Sequence, residues 1–128
     1  MRVARNISLV ILLAFLVACG ATQRENVIKD SYRALAVGGQ AYDVGMKGIA
    51  DLYKNGQVGE EEKAKAIEIG NYYYDAYHTA VEGLVLYAET EGEQGDIQLL
   101  LLEVGKQLGK FISYVNPILV KYGMEALK

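Results

Sequence analysis

The sequence predicts an all-α protein: an up-down-up bundle of three antiparallel helices with left-handed packing, preceded by a cleavable signal helix. Three observations predict it. Apolar residues recur at alternating steps of three and four along three successive stretches, a single proline interrupts the 128 residues, and short glycine-containing breaks separate the stretches. Helices joined by short connections run antiparallel, which sets the topology.

The first 18 residues hold 14 apolar side chains behind the basic start Met1-Arg2-Val3-Ala4-Arg5. Ile7 to Ala18 contains Ser8 as its one polar residue. As a helix this run would span ~18 Å against a hydrocarbon core of ~30 Å, too short for a comfortable crossing. A basic start, a short apolar run and then small residues mark a secretory signal peptide, so residues 1–18 are set apart from the fold. Leu16-Val17-Ala18-Cys19 resembles the lipobox of bacterial lipoproteins. The resemblance implies that Cys19 carries a diacylglyceryl thioether, that cleavage before it makes Cys19 the first mature residue, and that the new amino group is acylated. One acyl chain holds a protein to a bilayer only marginally, whereas two or three make release very slow. Cys19 is thereby expected to be a lipidation site rather than a nucleophile, and residues 19–25 a lipidated tether. Gly20, in place of Asp, implies for an enteric-type host the periplasmic face of the outer membrane. In a Gram-positive host, or where sorting differs, the outer face of the inner membrane takes its place.

Residues 26–128 are expected to form the bundle, with helices at about 26–54, 60–90 and 96–126. In the first, Ile28, Tyr32, Leu35, Gly39, Tyr42, Met46, Ile49 and Tyr53 share a face. Asn55-Gly56 ends it. Gly59 followed by Glu60-Glu61-Glu62 opens the second, where the helix dipole favours acids. Its apolar face is Ile67, Gly70, Tyr74, Tyr77, Val81, Leu84 and Ala88, opposite a polar side of Lys65, Glu68, Asp75, Thr79, Glu82 and Glu89. Glu91-Gly92 closes it, and Gly95-Asp96 is expected to cap the third through the Asp side chain. The third stripe is Ile97, Leu101, Val104, Leu108, Phe111, Val115, Ile118 and Tyr122. Pro117 lacks an N–H, so the third helix is expected either to kink there or to stop and restart with Asn116 as cap. A period of 3.5 residues sustained over three helices is the signature of left-handed packing.

Composition narrows the function. Without residues 1–18 the chain has 11 basic and 16 acidic side chains in 110 residues, a formal net charge of −5. That balance argues against an electrostatic grip on nucleic acid, which usually shows as a basic patch or stripe. One Cys and one His are too few soft ligands for a zinc or iron–sulfur site, and they complete no nucleophilic triad. His78, at helical spacing from Asp75 and Glu82, reads as a surface ion pair. No catalytic residue, cofactor or metal is therefore expected.

Ten tyrosines and 14 glycines remain to be explained. Tyr74 and Tyr77 are expected in the core, Tyr73 beside them and Tyr72 on the polar side. Tyr72 and Leu86 are the candidate partner contacts, ~21 Å apart along one helix. The helical glycines, including the small-xxx-small pair Gly105 and Gly109, are expected to make room for bulky Tyr on neighbouring helices. In layout the chain is similar to small lipoproteins of unknown role found in bacterial genomes and prophages. The function expected is a non-catalytic, membrane-anchored protein that binds another envelope protein, its prophage form blocking entry of a second phage. The alternative is a carrier of a small apolar ligand in a core lined by Tyr and Gly. Oligomeric state is left open.

Overall fold

A computed structural model describes the backbone of residues 2–90 and 94–128 and the side chains of residues 23–90 and 96–128. Three helices make up the fold: α1 (Arg2–Lys54), α2 (Glu60–Glu89) and α3 (Gln94–Lys121). Each packs against the other two. The side chains of the lipobox, Cys19 included, lie outside the described residues. The backbone of residues 19–25, expected as a tether, belongs to α1. Ala21, Gln23, Arg24 and Glu25 are good helix formers and outweigh the weaker Cys19, Gly20 and Thr22. Among the described residues no helix is long and apolar enough to cross a membrane.

The neighbours across the interfaces give the topology. Arg24 of α1 donates to the Tyr87 carbonyl at the end of α2, while Gly70 near the start of α2 faces Tyr42. Gly83 meets Leu100, and the Tyr114 hydroxyl faces the Glu62 carbonyl. Gly38, Gly45 and Gly48 meet Leu108, Phe111 and Leu119 in the same order. Helix α2 therefore runs against α1 and α3, which run parallel: up, down, up.

Two of the helix ends are made by glycine. Gly56 takes φ +73 after α1, the Gly56 N–H donates to Tyr53 (3.0 Å) and the Gln57 N–H to Leu52 (2.9 Å). Gly123 takes φ +78 after α3, with Gly123 donating to Val120 (3.1 Å) and Met124 to Leu119 (2.9 Å). Both are left-handed closures that satisfy orphan carbonyls, a geometry a Cβ would strain. The second stops α3 at Lys121, short of the expected residue 126, and residues 122–128 turn back along the bundle. At its start α3 begins at Gln94, so Asp96 lies in the first turn instead of capping from outside it. There its charge still meets the positive helix end. Pro117 lies inside a continuous α3, so the helix does not stop and restart. Both Pro117 and Ser113, whose carbonyl loses its donor, are exposed, and water can take the lost partner's place.

The buried faces of α1 and α2 keep Leu35, Ile49, Gly70 and Leu84 where expected and are otherwise turned by one residue. In α1 the buried positions are Ser31, Leu35, Gly38, Gly45, Gly48, Ile49 and Leu52, while Tyr32 is exposed. In α2 they are Ala66, Gly70, Tyr73, Ala80, Leu84 and Tyr87. Tyr73 is 1% exposed and Tyr74 is 49% exposed, reversing their expected roles. Seven-residue spacing is kept, but one of its two tracks is rich in small residues: Ser31, Gly38 and Gly45 precede Leu52 on α1, and Ala66 and Ala80 alternate with Tyr73 and Tyr87 on α2. Large apolar side chains choose the wrong neighbour of that track. On α3 Ile97, Val104, Phe111 and Val115 are buried as expected; after Pro117 the buried position is Leu119, with Ile118 half-buried.

The glycines divide into two groups. A Cβ at Gly45 would lie 2.7 Å from the Phe111 ring, at Gly48 2.8 Å from Leu119 and at Gly70 3.0 Å from the Tyr42 ring, and at Gly83 it would overlap Leu100. All four accept close neighbours, but only Gly70 seats a Tyr as expected; the others accept Phe111, Leu119 and Leu100. A Cβ at Gly105 or Gly109 would meet nothing within 4 Å, so that pair makes room for nothing inside the bundle. Replacing both by Ala should raise stability by ~1 kcal/mol per site, because helix propensity and unfolded-state entropy are the only terms that change. Gly45→Ala should lower it by ~1–3 kcal/mol through overpacking against a buried ring. Urea unfolding monitored by circular dichroism separates the two groups; equal effects would contradict the division.

Candidate functional site

Two hydrophobic clusters fill the bundle. One gathers Leu35, Tyr73, Ala80, Leu84, Tyr87, Ile97 and Val104, the other Ile49, Leu52, Val58, Ala66, Phe111, Val115 and Leu119. Tyr42 and Leu108 pack against both and join them. The Tyr42 ring lies 4.9 Å from that of Tyr73 and 5.2 Å from that of Phe111, centre to centre, and Tyr73 lies 6.0 Å from Tyr77. These tilted pairs are the favoured arrangement of aromatic rings. The Tyr73 hydroxyl points between α1 and α3, 3.3 Å from the Cβ position at Gly38, and it finds no hydrogen-bond partner among the described residues. Burial, with smaller contributions from Tyr77, Asp43 and Tyr42, pushes its pKa up to about 12.

Both ends of α2 are tied to α1 by charge. At its C-terminus the Arg24 guanidinium lies 4.3 Å over the Tyr87 ring and donates to the Tyr87 carbonyl, where the helix dipole favours a cation. At its N-terminus the Tyr53 hydroxyl donates to Glu60, and Lys63 pairs with Glu60 at 3.4 Å while sitting 3.8 Å over the Tyr53 ring. The Tyr53 hydrogen bond, then Lys63, hold the Glu60 carboxyl below its ordinary range. That contribution is present above the ordinary carboxylate pKa and is lost as pH falls through the lowered one.

The candidate partner residues are both exposed, Tyr72 at 58% and Leu86 at 61%. The structure does not bring them together. Tyr72 lines a cleft of about 400 Å³ between α2 and α3 with Lys65, Glu68, Ile69, Gln107 and Lys110. Leu86 lies in the last turn of α2, where its carbonyl accepts from the Thr90 N–H and hydroxyl. Val85 is exposed beside Leu86, and Leu99 and Leu102 of α3 are more exposed still. The last two escaped sequence reasoning although a signal was present: four consecutive leucines, 99–102, wrap every side of a helix and cannot all face a core.

His78 departs from the expected ion pair. Its ring stands edge-on to Tyr74 at 4.4 Å and Tyr77 at 6.0 Å, and it joins neither Lys63–Glu60 nor Lys65–Glu68, the ion pairs among the described residues. Tyr74, one turn before His78, and Tyr77, its neighbour in sequence, supply rings against the imidazole in place of a carboxylate. The described residues contain no group of three or more His, Cys, Asp or Glu able to hold a metal ion.

Tyr73→Phe should raise stability by ~1 kcal/mol, since it removes a buried hydroxyl that lacks a partner and keeps the ring. In the parent protein the folded state holds the Tyr73 proton above pH 10 while the unfolded state releases it. The associated stability is thus fully present below pH 10 and is lost as pH rises towards about 12. Tyr73→Phe should flatten that alkaline loss in melts recorded between pH 9 and 12, and an unchanged profile would contradict the assignment. Comparisons of this chain with protein families, with curated proteins and with solved structures found no match, so its own residues carry the functional argument.

Proposed function

We propose that the protein is a lipid-anchored envelope component, held at the periplasmic face of the outer membrane by acyl chains on Cys19, and that it acts by binding another protein without catalysis. The lipobox Leu16-Val17-Ala18-Cys19 carries the anchoring part of this reading. Binding is supported by exposed apolar side chains at the end of the bundle where α2 meets α3, Val85 and Leu86 on α2 with Leu99 and Leu102 on α3, while Tyr72 stands apart, ~21 Å along α2. Large exposed apolar side chains gathered on one region of a folded domain mark interaction surfaces. Blocking entry of a second phage is the form this activity takes if the gene is prophage-borne.

Labelled palmitate should enter the wild-type protein in cells and not Cys19→Ser; equal labelling of both would overturn the anchor. A photo-crosslinking residue at Tyr72 or Leu86 should trap one protein partner reproducibly in intact cells. Adducts with lipid alone at both positions would overturn protein binding.

A further inference from the structure

Residues 122–128 leave the helical path at Gly123 and return along α1 and α3 as a strap. Its fixing point is Asn116. The Leu127 N–H donates to Asn116 Oδ1 at 2.7 Å, and Asn116 Nδ2 donates to the Leu127 carbonyl at 3.1 Å. A primary amide that pairs with both backbone groups of one residue reads the peptide unit and is indifferent to the side chain it carries. Apolar specificity comes from two other points. Leu127 Cδ1 lies 2.9 Å from the Cβ position of Gly45, and Met124 Cε lies 3.5 Å from that of Gly48. Both side chains also pack on the cluster around Phe111, Val115 and Leu119.

Little holds the strap down. Met124 and Leu127 are only half-buried, Glu125, Ala126 and Lys128 are exposed, and no helical hydrogen bond follows Met124. Such a segment opens far more readily than the core beneath it. Between the strap residues 125–128 and α1 lies a cleft of about 350 Å³ whose α1 wall is Val37, Gln40, Ala41 and Val44, with Val37 and Val44 exposed. The strap occupies one side of this groove and leaves the other open.

We propose that the groove between α1 and α3 is the docking site for a short, non-helical apolar peptide segment of the protein partner, and that residues 124–128 are its built-in substitute. The inference rests on the protein-binding reading above. The segment it fits carries two apolar side chains three residues apart for Gly48 and Gly45, an unpaired backbone N–H and carbonyl at the second for Asn116, and further apolar side chains for Val37, Ala41 and Val44. A tethered substitute acts at an effective concentration on the order of millimolar, so a partner must exceed it, and the open half of the groove supplies the surface for doing so.

The probe is a dye-labelled synthetic peptide with the strap's own sequence, Tyr-Gly-Met-Glu-Ala-Leu-Lys, titrated by fluorescence anisotropy into the purified full chain. Met124→Ser with Leu127→Ser loosens the internal strap and should bind the peptide at least roughly tenfold more tightly than wild type, while adding Asn116→Ala should remove most of that gain. A folded double variant that binds no better than wild type, or a gain indifferent to Asn116→Ala, would overturn the proposal. A second measurement needs no loosened strap: a photo-crosslinker at Val44 of the otherwise wild-type chain should label with the peptide and one at Leu86 should not, and equal labelling would overturn it. Because the peptide is tested on purified protein, its failure is separable from failure of the functional reading. Peptide binding without any cellular partner overturns that reading alone, and a partner trapped at Tyr72 without peptide binding overturns the groove alone.

Discussion

Tyr42 lies against Gly70, and the close approach of α1 to α2 depends on it. A Cβ at residue 70 would sit 3.0 Å from the Tyr42 ring and 3.5 Å from Met46 Sδ, so a larger residue there would push α2 outward. From that seat Tyr42 reaches Tyr73 on α2 and Phe111 on α3, touching both hydrophobic clusters at once. Glycine inside a helix costs about 1 kcal/mol relative to Ala. A large aromatic side chain removes on the order of 200 Å² from water, worth roughly 5 kcal/mol at 25 cal/mol per Å² as an upper estimate. One seated ring therefore offsets several glycines, which is why the bundle tolerates a composition that an isolated helix would not.

The same pairing of large against small recurs along the molecule. Phe111 sits against Gly45, Leu119 against Gly48, Leu108 against Gly38 and Leu100 against Gly83. Facing elements thus interlock instead of meeting along a uniform leucine seam. Since the seats are on α1 and α2 and most of the large partners are on α3, α3 carries the continuous apolar stripe. The strap extends the scheme beyond the helices: Leu127 and Met124 use Gly45 and Gly48 from the outside, which links the proposed peptide groove to the packing that forms the core.

Helix number, order and direction were legible in the sequence because they rest on periodicity and on breaks at Gly56 and Gly59, which the local chemistry of helix ends enforces. The facing side of α1 and α2 was less so. Periodicity weighted by apolar size selects Tyr32 and Tyr74, whereas the closest approach is marked by Ser31, Gly38, Ala66 and Ala80, which look unremarkable in a sequence. Tyr73, expected beside the core, proves to be its most buried large side chain on α2 for the same reason. The outward position of Tyr72 and Leu86 was legible, since the polar side of α2 has a strong charge pattern. The strap was not, because Asn116 and Leu127 are eleven residues apart and meet only once Gly123 reverses the chain.

Ring-on-glycine packing makes a claim about coupling between two positions, and a double-mutant cycle measures coupling directly. The cycle combines Gly70→Ala with Tyr42→Leu and reads unfolding free energies in urea. With Tyr42 present, Gly70→Ala should destabilise by about 1–3 kcal/mol, as overpacked sites do. With Leu at position 42 the same change should be neutral or stabilising, leaving an interaction energy above about 1 kcal/mol. Additivity within about 0.5 kcal/mol would contradict the account, since it would mean that the glycine is not there for the ring.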